Sequence, residues 1–134
     1  SPDIESKLQT YKYRQDVKLL NDADKRETAE LIGTSYAVVH LPRHDADLWP
    51  VVAAMQCGTP LITCDTPSVQ EYCGDCAVFA ATAEPDSLGD ALIRLYKDEP
   101  LRSKLSDAAL EKATQYSYEN TAERLWRLAE QGTL

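Results

Sequence analysis

The sequence predicts an α/β layered domain built on a parallel sheet. Two observations carry this. Four short apolar runs, "DVKLL" (16–20), "AVVHL" (37–41), "PLITC" (60–64) and "AVFAA" (77–81), are bounded by polar or turn-prone residues and mostly lack alternation. Continuous runs of this kind suit strands buried on both faces. Between and after them lie stretches with helical spacing, as expected when crossover helices cover a parallel sheet. The expected architecture is a sheet of about four strands flanked by helices, with a helical C-terminal third.

The elements follow in order. Ile4, Leu8 and Tyr11 suggest a first helix, and Ser1 has the look of an added residue. Asp24 and Glu27 have the spacing of a capping box, for a helix ending near Gly33. The stretch from His44 to Pro60 reads as the end of a strand, a loop and the start of a buried helix that Cys57 ends, and Gly58 to Pro60 lead into the next strand. In the C-terminal third, Pro85 stands where a first-turn proline is tolerated, and Leu88, Ala91, Leu92, Leu95 and Tyr96 form one buried stripe. Pro100 repeats the punctuation before Leu101, Leu105, Ala108 and Ala109. Ser117 then has the character of an N-cap, after which Tyr118, Ala122, Leu125, Leu128 and Ala129 share a face. Neither an internal repeat nor a low-complexity linker interrupts the pattern.

Composition narrows the function classes. The 134 residues suit one domain with one core, spanning 1–134. Fourteen basic against 22 acidic side chains give a net charge of −8, so nucleic acid and anionic lipid are not expected partners. No apolar run approaches the roughly 18 residues of a membrane-spanning helix, and the N-terminal "SPDIESKLQTYKYRQ" lacks a signal-like apolar stretch. A cytoplasmic location is expected. Cys73 and Cys76 form a C-x-x-C pair, but Cys57 and Cys64 sit alone, and His40 and His44 form no ligand cluster with them. Redox pairs start a helix after a strand, whereas this pair precedes an apolar strand. Free thiols in a reducing compartment are therefore the default, with metal or redox use the alternative.

From Tyr36 onward the order of segments is specific: "YAVVHLPRHDADLWPVVAAMQCGTPLITCD", then "SVQEYCGDCAVFAA", "EPDSLGDALIRLYKDEPLRSKL" and "YSYENTAERLWRL". This resembles the C-terminal, donor-binding half of retaining GT-B glycosyltransferases of the large family 4, over Val17 to Leu128. The resemblance implies a Rossmann-like fold, half of a GT-B enzyme. It also implies a nucleotide-diphospho-sugar as donor substrate, a saccharide acceptor, and no metal or other cofactor. In such enzymes negative charge builds on the leaving diphosphate. Backbone amides of a glycine-containing loop at a helix N-terminus meet that charge. One glutamate contacts the donor sugar, and a second, eight positions on, accepts hydrogen bonds from the ribose diol.

Carried over residue by residue, the resemblance implies losses. Asp45 stands at the first glutamate, one methylene shorter. Ala46, Asp47, Leu48 and Trp49 occupy the glycine-phenylalanine-glycine-apolar loop, so both glycines are gone and a carboxylate stands where phosphate approaches. Pro50 matches, but Ala53 sits where the second glutamate belongs. Ala54, Met55, Gly58, Thr59 and Pro60 keep the frame, while Leu41 and Pro42 replace the usual proline and serine. Downstream Glu71, Gly74 and Asp75 match, with Gln70 in place of proline. Trp49 offers a flat surface for a base or sugar, although large aromatics more often pack beneath such a loop. Arg43 and His44 are candidates for compensating positive charge, with solvated loop positions the alternative.

The diphosphate-holding arginine and lysine of the family lie in strands with no counterpart here, as does the acceptor domain. The resemblance therefore implies no catalytic residue on this chain alone, a degenerate donor site at Asp45, Ala46, Asp47, Leu48, Trp49, Ala53 and Glu71, and a role as part of a longer enzyme of polysaccharide assembly. The alternative is a non-catalytic module that keeps the fold. With the intervening strands absent, "DVKLL" is expected to pair directly with "AVVHL"; a homodimer covering the exposed edges is the alternative.

Overall fold

The computed structural model describes residues 2–41, 48–81 and 84–132. Helix α1 (Pro2–Thr10) leads through a 3-10 turn at Arg14–Asp16 to α2 (Lys25–Thr34), β1 (Val38–His40), α3 (Trp49–Gln56), β2 (Leu61–Cys64), α4 (Pro67–Cys73), β3 (Ala77–Ala80), α5 (Pro85–Lys97), α6 (Glu99–Ala113) and α7 (Tyr118–Glu130). The three strands are parallel in the order β1-β2-β3, with Leu61 opposite both Val38 and Ala77. Two successive βαβ units thus make the sheet, as the apolar runs predict.

The expected fourth strand is corrected. Residues 17–20 form no strand, and the side chains of Val17, Leu19 and Leu20 all stay exposed. A parallel strand is favoured by burial on both faces, and this run gains it on neither. Leu19 and Leu20 lie along α2 instead, where they share a shallow groove with Leu31.

Alternation along the strands divides the core. Leu61 and Ala77 pack with Val51, Ala54 and Met55 of α3, Val69 and Cys73 of α4, and Ala109 and Ala113 of α6. Ile62 and Val78, one residue on, face Ala91 and Leu95 of α5 and Leu105 of α6. Helix α6 therefore serves both faces. It reaches the α3–β2 turn, where the Ser106 hydroxyl donates to the Gly58 carbonyl at 2.7 Å. Gly58 has φ +65°, a conformation that favours glycine, and a Cβ there would lie 3.0 Å from Leu110 Cδ1, which would have to give way. Next to it the buried Thr59 hydroxyl donates to the Ile32 carbonyl at 2.8 Å, tying α2 to the same turn. The retained "AM..GTP" frame is thus a packing device.

The helix signals hold well. Asp24 and Glu27 form the full capping box, and Thr66, Asp98 and Ser117 each accept an amide proton at the start of α4, α6 and α7. Two apolar stripes are corrected. On α5, Leu88, Ala91 and Leu95 face inward, but Leu92 is exposed and Tyr96 is 72% exposed, its carbonyl bonded by Arg102 at 2.8 Å. Helix α7 has no fully buried side chain, so its predicted stripe stays exposed.

One core position carries an unsatisfied polar atom. Thr63 on β2 is fully buried, and its hydroxyl finds no partner among the described residues. Thr63→Val is expected to raise the unfolding free energy by about 1 kcal/mol, since it removes a desolvated hydroxyl at nearly constant shape. A lower urea midpoint in the variant would show that the hydroxyl is engaged.

Candidate functional site

Helical geometry sorts α3 into two faces. Leu48, Val51, Ala54 and Met55 point into the core, so Trp49, Val52, Ala53 and Gln56 form the opposite stripe. That stripe is one wall of an open groove of about 810 Å³, completed by residues of α4 and the start of α7. Trp49, expected beneath the loop, is instead 58% exposed on this wall. Its place on the helix overrides the usual burial of a large aromatic.

Of the candidate donor-binding residues, Leu48, Trp49, Ala53 and Glu71 line this one groove. Leu48 is buried at the N-cap of α3 with no side-chain cap bond, and its carbonyl accepts the amides of Val51 and Val52. Pro50 has no amide, so the helix start presents few free donors. Ala53 is half-buried and packs against the core, while Glu71 is exposed on α4. Asp45, Ala46 and Asp47 lie outside the described residues, as do Pro42, Arg43 and His44.

The groove also contains residues that pattern reading missed. Tyr72 and Tyr116 stack with centroids 5.4 Å apart, and the Tyr116 hydroxyl donates to the Tyr72 carbonyl at 2.8 Å. Burial, then the neighbouring Tyr72, pushes the Tyr116 phenol above its usual pKa. Gln56 Nε2 donates to the Tyr116 carbonyl at 2.9 Å, which joins α3 to the α6–α7 connection. Tyr118 and Glu119 open α7 at the far wall. The signal for them was the aromatic pair flanking the Ser117 cap in "YSYENT".

The C-x-x-C pair lies at the end of α4. Gly74 (φ +53°) ends the helix, and the Cys76 amide bonds the Cys73 carbonyl at 2.9 Å in the turn into β3. Both thiols are free and buried, and among the described residues no three His, Cys, Asp or Glu side chains converge as a metal site would require. Burial, reinforced by Cys76 and opposed by Lys112, pushes the Cys73 pKa from 9.0 up to about 11. The unfolded chain releases this proton from about pH 9, while the folded chain holds it until about pH 11. Stability is therefore expected to fall over that window as pH rises, by about 2 to 3 kcal/mol. Chemical unfolding at pH 8, 9.5 and 11 checks the sign, with Cys73→Ala as reference.

Three parallel strands joined by successive helical crossovers make a Rossmann-like α/β domain, with a groove along the outer helix layer. The family described as glycosyl transferases group 1 matches residues 3–112, and the chain belongs to that family. It is also similar to the O-antigen chain mannosyltransferase B of Escherichia coli, with 28% identity over 71 residues. That similarity covers 53% of this chain and 19% of the relative. Among the described residues no helix is long and apolar enough to cross a membrane.

Proposed function

We propose that this chain is the nucleotide-sugar-binding part of a cytoplasmic glycosyltransferase that moves a glycosyl group from a nucleotide-diphospho-sugar to a saccharide acceptor. The observation that carries this reading is the meeting of Leu48, Trp49, Ala53 and Glu71 on one groove, in a chain of the glycosyl transferases group 1 family. By the family resemblance, Asp45 and the backbone of residues 46–49 would also contact the donor. The missing glutamate at Ala53 and the glycine-free loop weaken the site. Transfer needs the rest of a longer enzyme to position the acceptor and exclude water, so the isolated chain does not catalyse it. The small share of the relative that the chain matches supports this.

Ala53 favours a second reading, a module that keeps the fold without the chemistry. Titration with UDP, GDP and ADP, followed by amide NMR, separates the two. Shifts confined to residues 43–53 and the surroundings of Glu71, saturating at or below about 1 mM, are expected for a donor site. An unchanged spectrum would overturn nucleotide binding by this chain and leave the second reading.

A further inference from the structure

We propose that Cys73 and Cys76 are a reversible disulfide site, two thiols that the turn between α4 and β3 holds ready to bond to each other when a small-molecule disulfide such as oxidised glutathione is present. The backbone of the turn carries the argument. The Cys76 amide donates to the Cys73 carbonyl at 2.9 Å, and Gly74 between them has φ 53° and ψ −120°. Those angles belong to the first central position of a type II′ turn, whose end residues have Cα atoms less than about 7 Å apart. A disulfide asks for Cα separations of roughly 4.4–6.8 Å, so this backbone accepts one with little movement.

The sheet register sets the nearest alternative apart. Cys64 is opposite Ala80, three residues along β3 from Ala77, so about 10 Å of strand separates it from the Cys76 end of the sheet. Cys57 ends α3 against Gly33 of α2. Within the pair, the Cys73 thiol is turned back along α4 and donates to the Val69 carbonyl at 3.1 Å. Rotation about its Cα–Cβ bond is the movement that bonding requires. Lys112 of α6 assists the chemistry, its Nζ lying 2.7 Å from where a Cβ on Gly74 would stand. Burial pushes both thiols up, and the positive charge of Lys112 opposes this by favouring the thiolates.

The exchange balances in two steps. The Cys76 thiolate attacks one sulfur of the glutathione disulfide and releases a glutathione thiolate; the Cys73 thiolate then attacks the Cys76 sulfur and releases the second. The two cysteines are oxidised, the glutathione disulfide is reduced, and the two thiol protons end on the two glutathiones. The new bond lies next to Tyr72, whose carbonyl accepts from the Tyr116 hydroxyl, so it fixes the α4 end of the groove floor. It does not depend on what the groove binds.

The test uses the 134-residue chain unchanged, because cleavage after glutamate isolates residues 72–84, which contain Cys73 and Cys76 and no other cysteine. The reduced protein is refolded from urea into equal concentrations of oxidised and reduced glutathione, which exposes the thiols to the reagent before they are buried. A second sample stays in urea at the same poise. Both are quenched in acid, alkylated, cleaved and weighed by mass spectrometry. In the refolded sample peptide 72–84 is expected mainly without two hydrogens, with a ratio of bonded to reduced peptide about tenfold above that in urea. Equal ratios overturn the proposal, as does a refolded sample in which the peptide carries glutathione, is joined to Cys57 or Cys64, or keeps both thiols. Starting from folded reduced protein, Lys112→Gln is expected to slow formation of the bond about threefold, and an unchanged rate overturns the part given to Lys112.

Discussion

Met55→Ala is expected to lower the unfolding free energy by about 3 kcal/mol, measured by urea titration. Met55 is fully buried and is among the largest side chains that are. It belongs to α3, the helix that packs against α2, α4 and α6 as well as β1 and β2. The loss removes a long side chain from a junction of several elements that cannot all move in to fill the gap. Against a total of about 5–15 kcal/mol for a domain, this is a large fraction. Met55→Leu, which conserves volume, is expected to cost less than about 1.5 kcal/mol. If alanine costs no more than leucine, α3 is not docked as described.

Ala53→Glu is expected to raise affinity for UDP or GDP by about tenfold or more. The position lies on the groove wall one turn from Trp49, and in the resembling enzymes a glutamate there accepts from the ribose diol. A charge-assisted hydrogen bond contributes about 1.5–3 kcal/mol, which sets the size of the gain. Ala53→Gln, similar in shape but uncharged, is expected to give less. Calorimetric titration of the three proteins decides the matter. Equal affinities would mean that the rest of the ribose site is gone, not merely its acceptor.

Much of the fold was legible because helix boundaries are local events. The capping box at Asp24 and Glu27, the Ser117 cap and the prolines at 85 and 100 each act within a turn, and each marks a real boundary. Strand pairing is a distant event, so "DVKLL", less apolar than "AVVHL" but similar in length, could not announce that it gains no partner. The α5 and α7 stripes show the same limit. Periodicity reports which residues share a face, not whether anything covers it, and so Tyr96 and Leu125 read as core and stand in solvent. At the groove, Ala53 and Glu71 were readable through the resemblance, and Trp49 was misjudged because residue type outweighed helical phase. Tyr72 lies far in sequence from Tyr116 and Glu119, and only folding brings them to one groove.

The all-parallel sheet also governs how quickly this chain reaches its native state. No strand can meet its neighbour through a tight hairpin; Leu61 reaches Ala77 only across α4, and Val38 reaches Leu61 only across α3 and the loop before it. Each pairing closes a long loop before any hydrogen bond rewards it, which slows folding relative to a helical bundle of this size. The shorter closure joins β2 and β3, and Val69 and Cys73 of α4 bury completely beside them. The β2–α4–β3 unit is thus expected to form before β1 and α3 condense on it, so in stopped-flow kinetics Val69→Ala is expected to slow refolding and Val38→Ala to speed unfolding.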